Sequence, residues 1–301
     1  MTTFHDLARN QGGYADRPSL LGIGMTDEEI GRLVEQEHWQ RPHAGVYLTG
    51  SAPPEWEGRL RAACMAAGGG ARAMGRTAAR LHGLDGAEHH GIIELTVPKG
   101  HGPVPRGVIV HETRRIDPAL TAAVRGIPVS SINQTLLEYA WLVRANVPVE
   151  RAVEDAFRRK DTDEGPLRRF LGQCGKGVNG VTHLRYVLDR RPDGRPARSG
   201  FEVIVLDILR GCGLPLPVRR PIVAIPPDEK FELDLAYLDQ KIDIEPMGKK
   251  WHTTLAQRRR DAERRVVLGG LGWIIVEVWW DQALNAPEEV GGRVRAALAA
   301  R

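Results

Sequence analysis

Three carboxylates in the last third of the chain have the types and spacing that chemistry requires. Asp234 lies in the strand-like run FELDLAYL (231–238), and Asp243 and Glu245 lie in KIDIE (241–245), with a tight turn at Asp239-Gln240 between them. Strand side chains alternate between faces, so Lys241, Asp243 and Glu245 share one face and Ile242 and Ile244 the other. A two- or four-residue hairpin loop sets Asp234 opposite Asp243 or Glu245 on that same face. Acidic groups this close repel one another unless a cation or a basic group compensates. Oxygen-only ligands suit Mg²⁺ (or Mn²⁺), which keeps waters and takes one or two protein carboxylates. Such a site activates water and stabilises charge on a phosphodiester. The plainer alternative is a half-buried hairpin with a charged wet face.

Several elements must position these groups. A helix over about 199–210 carries Glu202 among Phe201, Val203, Val205, Leu206 and Ile208. After the hairpin come Lys249, Lys250 and Trp251-His252, then the basic helix QRRRDAERRVVL and an apolar strand WIIVEVW (273–279). Arg258, Arg259, Arg260 and Arg264, beside a carboxylate cluster, read as holders of the phosphates flanking a scissile bond. The other account is a solvent-facing helix with Asp261 and Glu263 as intrahelical partners. Trp273, Trp279 and Trp280 read as core, two of them lying in an apolar strand.

Upstream, Thr26-Asp27-Glu28-Glu29 has capping-box spacing, and Ile30, Leu33 and Val34 continue it as an amphipathic helix. With earlier short helices and a hairpin from Trp39 to Leu48, this predicts a winged helix-turn-helix with 26–37 as its recognition helix. That helix is acidic, carrying Asp27, Glu28, Glu29, Glu35 and Glu37 against Arg32, so phosphate contact is expected instead from Trp39, Arg41, His43 and Tyr47 near the wing. A winged helix of this charge suits protein contact as well as DNA. Next come helices at 56–67 and 77–84 and strands at 92–97 and 108–112, the strands joined by a Gly/Pro hairpin. GIPVSSINQTLLEYAWLV then gives a strand and a helix with Leu136, Leu137 and Ala140 inward. His89 and His90 read as solvated loop residues.

Composition bounds the class. The chain has 301 residues, 42% apolar and 27% charged, enough for two or three cores and unlike disordered, collagen-like or coiled-coil sequences. No apolar run reaches membrane-spanning length, the first residues lack a signal-peptide core, and three scattered cysteines suit a reducing compartment; a cytoplasmic protein is expected. The net charge is +4, and residues 151–200 hold 12 basic against 7 acidic residues. The excess is sharpest at Arg190, Arg191, Arg195 and Arg198, which either meet phosphates or line a solvated linker. Punctuation divides the chain into 1–51, 52–190, a basic linker at 191–200, and 201–301.

The C-terminal segments SGFEVIVLDILRGCGLPLP, FELDLAYLDQKIDIEPMGKKWH, RRRDAERR and LGWIIVEVWWDQ resemble the very-short-patch-repair-like endonuclease domains of the PD-(D/E)XK superfamily. GMTDEEIGRLVEQEHWQRPHAGVYLTG and GIPVSSINQTLLEYA are similar to the AbiEi-type antitoxin family. The resemblances imply an α/β multidomain protein: a winged helix, a mixed α/β middle domain, and a restriction-endonuclease-like domain with a central mixed sheet. They imply metal-dependent DNA cleavage in phage defence or toxin–antitoxin biology. DNA is the expected partner, with a toxin protein as a second, no membrane, and the oligomeric state open. Glu202, Asp234 and Glu245 match the family's metal-binding carboxylates, His252 a base or phosphate contact, and Asp261 and Arg264 its Asp-x-x-Arg; Asp243 is a further candidate ligand.

Three positions depart from the family. Met247 replaces a polar third group, for which Lys249, Lys250 or Lys241 would have to substitute. Arg265 stands where an acidic residue is usual, and Glu277 where an arginine is usual. This reciprocal exchange predicts that Arg265 and Glu277 face each other as an ion pair. A chain lacking nuclease activity, serving as a DNA-binding regulator or antitoxin, is the alternative; Met247 argues for it and the retention of all three carboxylate positions against it. A toxin-binding interaction protein is a third reading.

Overall fold

The computed structural model describes residues 11–49, 55–87, 91–100, 104–114, 117–193, 195–226, 228–248 and 255–301. The chain is a mixed α/β protein that divides into two compact units, Met1–Arg144 with Phe170–Leu184, and Ala145–Arg169 with Arg185–Arg301. No described helix is long and apolar enough to cross a membrane.

The first unit begins with β1 (Tyr14–Asp16), α1 (Arg17–Gly22), α2 (Asp27–Glu35), β2 (Gln40–His43) and β3 (Val46–Leu48). Asp16 caps α1 by accepting from Ser19 N at 2.9 Å. The capping box at α2 forms as its spacing predicts: Thr26 N donates to Glu29 Oε2 at 2.8 Å, and Glu29 N donates to Thr26 Oγ1 at 3.2 Å. The expected hairpin is present, and β1 extends it into an antiparallel sheet of order β1-β3-β2.

Next come α3 (Glu55–Ala67), β4 (Arg72–Ala73), α4 (Gly75–His82), β5 (Ile93–Pro98), β6 (Val108–Thr113), β7 (Thr121–Val124), β8 (Ile127–Ser130) and α5 (Ile132–Leu142). The five strands order as β6-β5-β4-β8-β7. One face carries Ile93, Leu95, Val97, Ile127 and Val129, which join Leu60 and Ala63 of α3 in a core. Leu136, Leu137 and Ala140 point inward as their spacing predicts. The hairpin expected between β5 and β6 does not form, because these strands run parallel from Ile93↔Val108 to Pro98↔Thr113. The intervening chain is long enough, at roughly 3.3 Å per residue, to return along one strand and start the next in the same direction. His89 and His90 lie outside the described residues.

The chain continues through α6 (Asn146–Arg158), α7 (Glu164–Gln173), α8 (Val181–Asp189) and α9 (Gly200–Gly211). The second unit then adds β9 (Val218–Arg219), β10 (Ile222–Ile225), β11 (Glu229–Glu232), β12 (Leu235–Tyr237), β13 (Ile242–Met247), α10 (Leu255–Gly270), β14 (Ile274–Trp279), α11 (Trp280–Asn285) and α12 (Pro287–Ala299). The four-stranded sheet has order β14-β13-β12-β9, with β13 and β14 parallel across the α10 crossover. Its apolar face (Leu235, Tyr237, Ile242, Ile244, Val276, Val278) packs with Phe201, Val205 and Leu209 of α9 and Val290 and Val294 of α12. The run 231–238, read as one strand, is two. Phe231 and Glu232 pair with β10, Leu233 and Asp234 break the ladder, and residues 235–237 join the larger sheet.

Gly180, just before α8, has φ +86°, and a Cβ there would stand 2.4 Å from the Leu137 carbonyl oxygen. Gly180→Ala is expected to destabilise the protein by about 1–3 kcal/mol through left-handed strain and that backbone clash, read as a lower denaturant midpoint at unchanged m.

Candidate functional site

The register of the second unit decides where the carboxylates go. Leu235 pairs with Ile244 and Tyr237 with Ile242, leaving a four-residue connection, and Asp234, just outside the ladder, precedes Leu235 at the end where Glu245 follows Ile244. Asp234, Asp243 and Glu245 thus share the sheet face turned to α10, as alternation predicts. The parallel partner adds a fourth acid, because Glu245 pairs directly with Glu277 of β14. Glu202 comes from the first turn of α9, where Ser199 Oγ accepts from its backbone N–H at 3.5 Å.

Burial makes this cluster electrostatically demanding. Asp243 is 0% exposed, Glu202 2% and Glu245 7%. Burial, reinforced by the charge of Glu245 and opposed by Arg264, pushes Asp243 up to about 7. Burial likewise lifts Glu202 to about 7, opposed by the Arg198 amide and assisted by Asp234. Asp234 is raised by burial against the pull of Arg198 and Arg264.

Arginines supply the compensation. Arg264 Nη2 lies 3.2 Å from Asp243 Oδ2 and 3.5 Å from Glu245 Oε1. Arg265 Nη2 donates to Glu245 Oε2 at 2.7 Å, and its Nη1 lies 2.5 Å from Glu277 Oε1. The ion pair predicted from the reciprocal exchange at 265 and 277 is therefore present. Met247 Sδ stands 3.7 Å from the Arg265 guanidinium. At the other end, Arg198 N donates to Glu202 Oε1 at 2.9 Å and Arg198 Nη1 lies 3.4 Å from Asp234 Oδ1. Glu202 Oε2 and Asp243 Oδ1 are buried without a donor among the described residues.

The remaining expectations fare unequally. Arg264 turns inward to the carboxylates instead of outward to phosphates. Arg259 and Arg260 are exposed, Arg259 pairing with Glu263 at 3.0 Å, and the side chain of Arg258 lies outside the described set. Lys249, Lys250 and His252 also lie outside the described residues. Lys241 occupies the turn and donates to the Leu271 carbonyl at 3.1 Å, so it does not substitute at Met247. Arg32 and Arg41 are exposed in the first unit. Trp39, expected to contact DNA, is 7% exposed and packs with Tyr47, Ile30 and Leu20, since a large apolar ring gains more from this small core than from solvent. Trp279 departs in the other direction at 47% exposed, while Trp280 packs on Phe201 with ring centroids 5.0 Å apart.

The basic stretch meets protein carboxylates. Arg190 pairs with Asp207 at 2.7 Å, Arg191 with Glu154 at 2.7 Å and Glu164 at 2.5 Å, and Arg195 with Glu232 at 2.7 Å. Arg198 also pairs with Glu232. Residues 191–200, read as a linker, thus lie within the second unit, with Ala197 fully buried. Their partners are 17–37 positions away in sequence, so no local pattern announces them.

Guanidinium groups thus engage Asp234 Oδ1, Asp243 Oδ2 and both oxygens of Glu245, while Glu202 Oε2 and Asp243 Oδ1 stay unengaged among the described residues and Met247 offers no oxygen.

No protein-family model matches the chain. Two curated relatives from Mycobacterium tuberculosis, "Uncharacterized protein MT2308" of strain CDC 1551 / Oshkosh and "Uncharacterized protein Rv2248" of strain H37Rv, are each 28% identical over 271 residues. Each alignment covers 90% of this chain and 96% of the relative. Among solved structures, the crystal structure of the RV2827C protein from Mycobacterium tuberculosis is similar at a TM-score of 0.44 and 18% identity, over 74% of this chain and 87% of that one.

Two measurements test the cluster. Arg265→Ala leaves Glu245 opposite Glu277 without the cation between them, and about 2 kcal/mol of stability is expected to go. Arg265→Glu and Glu277→Arg are each expected to destabilise, and the double exchange to recover part of the loss in a double-mutant cycle. The raised acids also set a pH dependence. A carboxyl whose folded pKa exceeds its unfolded value binds its proton more tightly when folded, so its contribution is complete below the unfolded pKa and is lost as pH rises through the folded one. Stability therefore falls as pH rises between 3.8 and about 7 through Asp243, and between 4.5 and about 7 through Glu202. Asp243→Asn and Glu202→Gln should each flatten that decline in melts recorded across the interval.

Proposed function

We propose that the protein is a DNA-binding regulator of the antitoxin type, whose C-terminal unit keeps the carboxylates of a restriction-endonuclease-like site and uses them to anchor arginines instead of Mg²⁺. One observation carries this reading: Arg264 and Arg265 engage both oxygens of Glu245, beside a methionine at the third motif position. The order of helices, sheet and hairpin over residues 14–48 suits a winged helix-turn-helix. The acids of the first turn of α2 complement its dipole but repel phosphate. DNA contact is therefore assigned to Arg41 near the wing and to the outward arginines Arg259 and Arg260 of α10.

A second reading, Mg²⁺- or Mn²⁺-dependent phosphodiester hydrolysis, is favoured by the two buried oxygens without donors, Glu202 Oε2 and Asp243 Oδ1. In that reading Glu202, Asp234, Asp243 and Glu245 would hold the ion, which would supply charge neutralisation at a phosphate.

Plasmid and linear DNA incubated with the full chain in Mg²⁺ or Mn²⁺ distinguish the two. The regulator reading expects intact DNA retarded at low salt. Replacing Arg259 and Arg260 together with alanine should then weaken binding and reduce the slope of log K against log salt by about 2, roughly 0.9 per lost phosphate contact. Cleavage that disappears in EDTA and in Glu245→Ala would install the second reading instead. No retardation at low salt would overturn DNA binding and leave the acidic α2 as a surface for a partner toxin.

A further inference from the structure

The first unit buries polar groups where a structural role alone does not need them. Opposite its apolar core, the five-stranded sheet carries Arg72, Glu94, Thr96 and Ser130, each 5% exposed or less. The register aligns Arg72 with Thr96 and Thr96 with His111, a polar row across three adjacent strands. Most of this layer is internally satisfied. Arg76 pairs with Glu94 at 2.5 Å, and Arg72 Nε donates to Ser130 Oγ at 3.1 Å. Glu138 of α5 accepts from Gln134 at 2.7 Å, Gly75 N at 3.0 Å and Ser130 Oγ at 3.1 Å, so both of its oxygens are engaged.

Two groups are not satisfied. Arg72 Nη1 and His111 Nε2 are buried without a hydrogen-bond partner among the described residues, and Arg72 as a whole is only 4% exposed. Both residues line a cavity of about 200 Å³, and Met74, Leu137, Trp141 and Val178 form its apolar side. Trp141 stands edge-on to His111, with ring centroids 5.2 Å apart. Buried polar atoms without partners are rare and point to a missing ligand or water. A pocket with an apolar wall and a few convergent polar groups is the usual form of a small-molecule site.

We propose that this cavity binds a small organic carboxylate. Its oxygens accept from the Arg72 guanidinium and the His111 ring, whose Nη1 and Nε2 need a small side-chain shift to reach the cavity, and its apolar body rests on Leu137 and Trp141. Arginine is the side chain suited to this head group, because its planar fork matches a carboxylate. The volume is below the roughly 300–1,000 Å³ of drug-sized sites, which selects a single-ring or short aliphatic acid over a nucleotide. Glu138 also lines the cavity, and burial holds its carboxyl above the usual range, toward the neutral form that tolerates an anion of single charge. The site lies wholly in the first unit and does not rest on the DNA reading.

Sodium benzoate, benzamide and inorganic phosphate are titrated separately into the full chain by calorimetry. Benzoate is expected to bind at millimolar concentration or below, at least about tenfold more tightly than the neutral amide. Arg72→Met should weaken benzoate by at least about tenfold. Val178→Trp, at a 42%-exposed position lining the cavity, should abolish binding by filling it while leaving the buried polar layer intact, so the test survives a misfolded Arg72 variant. Absence of benzoate binding, benzamide binding as tightly, phosphate binding alone, or undiminished benzoate binding in Val178→Trp would each overturn the proposal.

Discussion

The second unit depends on one register. Once β13 and β14 pair in parallel with Glu245 beside Glu277, four acids gather on the sheet face under α10. A sheet face with this much negative charge folds only if cations are delivered to it. The crossover helix that makes parallel pairing possible is also the element that delivers them. Arg264 and Arg265, adjacent in sequence, diverge onto two strands: Arg264 reaches Asp243 and Glu245, and Arg265 bridges Glu245 and Glu277. Leu268, in the next turn, packs against Ala236 and Ile275, so the same helix seals the dry end of that face.

The pattern extends through the rest of this unit. Glu150 and Glu154 of α6 are almost fully buried and receive Arg210, Arg191 and Arg219. Glu232 gathers Arg195, Arg198 and Arg220. Removing one partner of such a pair leaves an uncompensated buried charge, so these networks fix geometry more firmly than they add net stability. Arg190 and Arg191 are therefore an internal resource, while Arg195 and Arg198 stay half-exposed with their charge already paired to Glu232.

The first unit treats its polar layer differently. Glu94 and Glu138 are fully engaged, but the row Arg72–Thr96–His111 keeps two buried nitrogens without a partner among the described residues, on side chains that line a cavity. Strand β5 carried a signal of this: Glu94 and Thr96 alternate with Ile93, Leu95 and Val97, which marks a sheet with one apolar and one polar face. The alternation does not reveal that the polar face is buried beneath α5 instead of wet.

Local rules were sufficient for much of the chain. The capping box at Thr26 and Glu29, the helical stripe of α9, and the shared face of Asp234, Asp243 and Glu245 all follow from backbone geometry within a few residues. The Arg265–Glu277 pair was legible too, because a reciprocal exchange of charge implies contact whatever the fold around it. Tertiary structure alone decided the parallel pairing of β5 with β6, the break of the run 231–238 at Asp234, the burial of Trp39 and the partners of Arg190 to Arg198. Each depends on which distant segment arrives alongside, and desolvation then determines whether a charge meets water, phosphate or another side chain. The sequence determined which residues would share a face; only packing decided that arginine would be what faces them.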